Sequence, residues 1–197
     1  TDDIRPINPY GESKVRTEHY LQQFDSSKIN YIILRYFNVA GADPRMRSGL
    51  IKKNPTHLIK IASEAAIGKR GGVQIFGNDY NTPDGTPIRD YIHVSDLADI
   101  HIKALQFLLE KKQSEIFNCG YGKGYSVKDV LNVTNSLCKN RINILNAPRR
   151  PGDAEMVVSD ISKLKRMIDW KPKYNKLDFI IKTAIDWELK LQNEKIS

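Results

Sequence analysis

The feature that most constrains this chain is the order of two adjacent segments. Tyr10 to Phe24 places Val15, Tyr20, Leu21 and Phe24 on one helical face, behind the start signal Asn8-Pro9. Tyr31 to Phe37 (Tyr-Ile-Ile-Leu-Arg-Tyr-Phe) is mostly apolar and rich in β-formers. A helix feeding such a strand suits the interior of a parallel sheet, whose strands are covered on both faces. The expected class is therefore α/β.

The rest of the chain keeps the alternation but shortens the strands. Asn38 to Lys53 reads as a polar loop broken by Gly41, Pro44 and Gly49. Helices are expected over Pro55–Ile67, Asp96–Leu109 (capped by Ser95), Ser126–Leu137 (capped by Ser126), from Asp160 or Ser162 to Ile168, and over Leu177–Leu191. Strands are expected over Val73–Phe76, Arg89–Val94, Glu115–Cys119 and Asn143–Leu145. Residues 1–40 alternate like part of a doubly wound sheet, and 41–197 read as a smaller α/β domain with long loops.

Composition excludes several classes. With 197 residues, 40% hydrophobic and 27% charged, the chain suits one globular domain, or one plus part of another. No apolar run approaches a membrane span, and no N-terminal signal pattern is present. Cys119 and Cys138 fit no metal-ligand spacing and read as reduced core residues of a cytoplasmic protein. His19, His93 and His101 carry no metal pattern either and read as structural. The net charge of +8 comes from 31 basic and 23 acidic residues that are scattered, with only short pairs such as Lys52-Lys53 and Arg149-Arg150. No basic helix is interleaved with aromatics, so a nucleic-acid partner is not expected.

The chemistry-bearing pair is Tyr10 and Lys14. Residues four apart share a helix face. An ammonium beside a phenol favours the phenolate, which can take a proton from an alcohol. Of the nine tyrosines only Tyr10 has a lysine four places on. The alternative is an ordinary surface contact between helix neighbours.

Three motifs widen this reading: Pro9-Tyr10-Gly11-Glu12-Ser13-Lys14, then Leu34-Arg35-Tyr36-Phe37-Asn38-Val39-Ala40-Gly41, then the long run Ile75 to Val94 containing Phe76-Gly77-Asn78-Asp79-Tyr80 and Arg89-Asp90-Tyr91-Ile92-His93. With Arg149-Arg150-Pro151-Gly152-Asp153, they resemble the extended short-chain dehydrogenases that act on nucleotide sugars, and in particular the UDP-glucose 4-epimerase family. The resemblance implies that residues 1–40 are the last helix and strand of a Rossmann-type, NAD-binding, doubly wound sheet, and 41–197 a UDP-sugar-binding domain. It implies interconversion of UDP-galactose and UDP-glucose through transient oxidation at C4, with NAD as cofactor, in a cytoplasmic homodimer. Tyr10 is then the base at the sugar 4-hydroxyl, Lys14 holds the nicotinamide ribose, and Phe37 lies against the cofactor. Asn38, His57, Leu58, Gln74, Ile75, Phe76, Arg89, Arg150 and Asp153 hold the UDP-sugar.

Residue chemistry leaves alternatives open at several of these positions. Arg89 and Arg150 suit phosphate through their planar forks, but each can also sit in a structural ion pair, Arg89 with Asp90 or Asp153 and Arg150 with Asp153. Asn38 ends a strand, where sheets of this type place ligands; it can equally be a turn residue. His57 alone reads as a helix-face histidine.

The sequence departs from the family pattern in three places. No Gly-x-x-Gly-x-x-Gly cradle is present, and Gly120-x-Gly122-x-Gly124 has the wrong spacing for one. The family's Ser or Thr beside the catalytic Tyr has no counterpart. Val157 stands where some members carry a larger Tyr, which leaves room for an N-acetyl group. The chain opens on Thr1, and the expectation is a C-terminal portion that binds NAD poorly and turns over little alone. On that expectation the apolar faces of the Tyr10 helix and the Tyr31 strand are exposed. The competing expectations are an inactive truncated remnant that at most binds UDP-sugar, and another nucleotide-sugar epimerase or dehydratase.

Overall fold

The structure, a computed structural model, describes residues 4–25, 27–139 and 141–194. Helix α1 (Pro9–Gln22) starts where Asn8 accepts the Gly11 amide at 2.8 Å, with proline at its first turn. None of its residues is buried. Strand β1 (Ile32–Tyr36) follows, and Glu18 of α1 receives the Arg35 guanidinium in a two-pronged ion pair that ties helix to strand.

At Phe37 the chain changes sheet partner. Strand β1 runs parallel to β5 (Glu115–Cys119), and the Phe37 amide donates to the Cys119 carbonyl at 3.2 Å. The next three residues form β2 (Asn38–Ala40), parallel to β4 (Ile88–His93). The sequence reading placed 38–40 in a loop, because a three-residue strand following another directly has no turn to announce it. Among the described residues β5 is the only strand paired with β1, so this pairing crosses the boundary drawn at residue 40.

Helix α2 (Leu58–Ala66) begins three residues later than expected, because His57 is still extended at ψ 126°. Strand β3 (Val73–Phe76) runs parallel to β7 (Ile144–Ala147). Helix α3 (Val94–Lys111) is capped by His93, whose ring accepts the Ser95 amide at 3.1 Å, rather than by Ser95. An imidazole nitrogen substitutes there for the expected hydroxyl. Strand β6 (Gly124–Ser126) pairs antiparallel with β4, and α4 (Val127–Leu137) opens on the expected Ser126, which exchanges hydrogen bonds with Asp129 in a capping box. The two-residue β8 (Met156–Val157) adds to β4, and α5 (Ser162–Met167) and α6 (Leu177–Glu194) close the chain.

The core lies in three apolar clusters. Ile92, Ile100, Phe117 and Leu164 centre one, Ile59, Val130, Ile180 and Ile181 a second, and Ala62, Val73, Ile75 and Leu131 the third. Cys119 is in the first cluster, its thiol pushed up to about 12 by burial, while Cys138 is only half-buried; no disulfide joins them. By contrast Tyr20 and Tyr36 are 63% and 57% exposed; the apolar surface of α1 faces solvent as expected, whereas in β1 only the end does, because Ile32 and Leu34 pack against the first cluster.

Candidate UDP-sugar cleft

A cleft of about 1620 Å³ opens between β2, β3, β4, the start of α2 and the turn at Arg150. Eight of the nine residues expected to hold a nucleotide sugar line it: Asn38, His57, Leu58, Gln74, Phe76, Arg89, Arg150 and Asp153. Ile75 does not. It is 3% exposed and its side chain belongs to the third core cluster, as alternation along β3 requires when Gln74 and Phe76 face the cleft.

Around the cleft Arg47 is paired with Asp43 and Lys60 with Glu188, whereas Arg89 and Arg150 are only loosely engaged. Arg89 stands in β4 and its guanidinium reaches Asp153 at 3.8 Å, an ion pair longer than a hydrogen bond. Of the two partners that the sequence allowed, Asp153 is therefore the one that Arg89 meets. Asp90 points the other way and is fully buried, accepting from the amides of Tyr121, Gly122 and Ser159 at 3.0, 2.9 and 3.3 Å and from the Ser159 hydroxyl. Arg150 lies 3.6 Å over the Phe76 ring.

One residue of the cleft was not singled out from the sequence. Tyr91 is 3% exposed, lines the cleft, and stands opposite Asn38 in the β2–β4 register. Burial pushes its hydroxyl up to about 12, against the Arg89 charge and a hydrogen bond with the Asn38 side chain. The signal available in the sequence was its position two residues after Arg89, on the same face of β4.

The loop between β3 and β4 is built to hold one shape. Tyr80 and Gly85 bridge it with an amide–carbonyl bond of 3.0 Å. Gly85 has φ +78°, and a Cβ there would lie 2.2 Å from the Asn78 carbonyl oxygen, so only glycine fits. Burial opposes the charge on Asp84, but hydrogen bonds from Ser126 and Thr86 outweigh it and hold its carboxyl below the usual range.

Tyr10 and Lys14 meet as their spacing requires, with the ammonium 5.1 Å from the ring centroid, but Tyr10 is 72% exposed. Neither Tyr10, Lys14 nor Phe37 lines the cleft. The approach to α1 nevertheless borders the Arg150 turn: a Cβ on Gly152 would lie 3.9 Å from the Ile7 carbonyl. The Gly120–Gly124 cluster is no phosphate cradle, because the Asp90 carboxylate already occupies the Tyr121 and Gly122 amides. Among the described residues no group of His, Cys, Asp and Glu is placed to hold a metal.

Residues 1–120 match the NAD dependent epimerase/dehydratase family. A UDP-glucose 4-epimerase of Azospirillum brasilense is 46% identical over 188 residues, covering 95% of this chain and 54% of that protein. A solved UDP-glucose-4-epimerase from Stenotrophomonas maltophila, with bound NAD and formylated UDP-arabinopyranose, superposes with a TM-score of 0.90 at 33% identity, over 95% of this chain and 56% of that one. Its counterpart from Bifidobacterium longum, in complex with NAD+ and UDP, gives 0.89 at 34% identity over the same shares. The chain thus spans about half the length of the relatives it matches. With sequence and fold in agreement along nearly its whole length, the chain belongs to the NAD dependent epimerase/dehydratase family.

Proposed function

We propose that this chain carries the UDP-sugar site and the Tyr–Lys pair of an NAD-dependent UDP-glucose 4-epimerase. The observation that carries the reading is the convergence of Arg89, Arg150, Asp153 and Asn38 on one cleft. Arg89 and Arg150 bind the pyrophosphate, each offering in-plane N–H donors. Asp153 accepts from ribose hydroxyls, and His57, Leu58, Gln74 and Phe76 enclose the uracil end. Asn38, steadied by Tyr91, donates its amide to a phosphate oxygen. Tyr10 takes the proton of the sugar 4-hydroxyl and returns it, and Lys14 holds Tyr10 and a cofactor ribose hydroxyl. NAD, when bound, supplies reversible hydride acceptance at C4. The residues present fit only its nicotinamide end, because the pair is exposed on α1 and no free glycine-rich nest occurs among the described residues. In this reading the complete enzyme is a homodimer of the cytoplasm; what supports it is the family, and the absence among the described helices of one long and apolar enough to cross a membrane.

The test is calorimetric titration with UDP. The chain is expected to bind, and Arg89→Ala and Asp153→Ala each to weaken binding at least about tenfold. No heat at millimolar UDP rejects the reading. A second reading, UDP-sugar binding without turnover, is favoured by the 72% exposure of Tyr10, which leaves its proton transfer open to water. Incubation with UDP-galactose and NAD separates the two: UDP-glucose formation refutes the second, and binding without product supports it.

A further inference from the structure

Two segments meet at the edge of the cleft: the loop after β3 and the turn after β7. Arg149 joins them. Its Nε donates to Asp79 Oδ1 at 2.7 Å, a second guanidinium nitrogen donates to the Asp79 carbonyl, and the guanidinium lies 4.1 Å over the Tyr80 ring. Tyr80 is 5% exposed with a hydroxyl that has no partner among the described residues, so packing alone holds the ring beneath Arg149. Gly77, at φ +83°, makes the stack possible: a Cβ there would stand 2.6 Å from both Arg149 Cγ and Tyr80 Cε2. Arg149 itself does not line the cleft. The next residue does. Its carbonyl accepts the Asp153 amide at 3.3 Å, but the Arg150 guanidinium has neither hydrogen bond nor ion pair among the described residues, and only its stacking on Phe76 orients it.

We infer that Arg149 is a positioning residue for Arg150: it latches the 77–87 loop to the 148–153 turn and so presents the Arg150 guanidinium to a nucleoside diphosphate. The inference rests on the reading of the cleft as a UDP-sugar site. A two-pronged, stacked arginine suits the task because its planar fork fixes direction as well as distance, which a lysine cannot do.

The experiment compares Arg149→Met, Arg149→Lys, Arg150→Ala and the double variant Arg149→Met/Arg150→Ala by UDP calorimetry, with amide hydrogen exchange on the ligand-free proteins. Arg149→Met is expected to raise the UDP Kd about tenfold. Arg149→Lys is expected not to restore it, and Arg149→Met to add less than about twofold once Arg150 is gone. The amides of Tyr80, Gly85 and Thr86 should exchange faster in Arg149→Met while those of α4 stay unchanged. Unaltered UDP affinity, full rescue by lysine, an undiminished effect without Arg150, or unaltered loop exchange each overturns the inference. If the unsubstituted chain binds no UDP, the site reading fails, and the exchange comparison still decides the latch.

Discussion

His93 makes the stability of this chain depend on pH in a window that few other groups reach. The ring is fully buried, between Tyr174 at 4.9 Å and Phe179 at 5.7 Å. Its Nδ1 accepts the Ser95 amide at 3.1 Å, which leaves Nε2 to carry the proton toward the Thr183 hydroxyl at 3.2 Å. The neutral ring therefore satisfies both neighbours, and a second proton would break the cap of α3. Burial depresses its pKa to about 4, although Asp96, Asp43 and the Ala42 backbone pull the other way. With an unfolded value of about 6.5, the unfolded chain binds more protons between these limits. Stability is thus full above pH 6.5 and falls as pH drops toward 4, by about 2 kcal/mol at pH 5. Asp43, held at about 2 by Arg47, titrates below this window. The check is urea unfolding at pH 7.5 and pH 5 for the native chain and for His93→Asn, whose amide oxygen can still accept from Ser95. The native chain should lose the stated amount and the variant much less. Equal stability of the native chain at the two pH values, or an equal loss in both proteins, refutes the argument.

Asp90→Ala removes the acceptor for the amides of Tyr121, Gly122 and Ser159 at 3.0, 2.9 and 3.3 Å, and should cost about 3 kcal/mol in urea unfolding; a loss below about 1 kcal/mol means the amides find other partners. Glu188→Gln leaves the buried Lys60, and Lys69 at 3.0 Å, facing a neutral amide, and should destabilise by about 3 kcal/mol, read as a lower midpoint with an unchanged urea slope. Gly85→Ala forces a Cβ to 2.2 Å from the Asn78 carbonyl oxygen at φ +78°; it should cost about 2 kcal/mol and weaken UDP binding, and retention of both properties would show that the loop relaxes freely.

Local features were legible in the sequence where one short segment contains both partners. The Ser126–Asp129 box lies within four residues, and β3 and β5 fall over the residues expected because Gly or Ser punctuation brackets them. The strands β2, β6 and β8 were not legible, since three, three and two residues carry no period. Their existence depends on β4, which supplies edges to all three. The site divides likewise. Arg89 and Arg150 declare themselves by chemical type and motif, whereas the roles of Asp90 and Tyr91 depend on partners 31 to 69 residues along the chain or on the neighbouring strand. Ile75 was grouped with its neighbours by motif, and only strand alternation turned it inward.

The arginines around the cleft show how anion affinity differs from positive charge. Arg149 is already engaged: a carboxylate, a carbonyl and an aromatic face hold it. Arg89 donates to the Ile88 carbonyl at 2.9 Å and at 3.5 Å to that of Glu155, and meets Asp153 only at 3.8 Å. Arg150 is desolvated on one face by Phe76 while its in-plane donors stay unpaired among the described residues. A phosphate reaching Arg149 would have to displace a short charge-assisted pair. One reaching Arg89 or Arg150 replaces a long contact or water, and gains planar donors that are already partly stripped of solvent. Equal formal charges therefore have unequal capacity for an anion, and of Arg89, Arg149 and Arg150 the two with capacity to spare are the two that line the cleft. The net charge of +8 is common to the whole surface and predicts none of this; the partners of each guanidinium do.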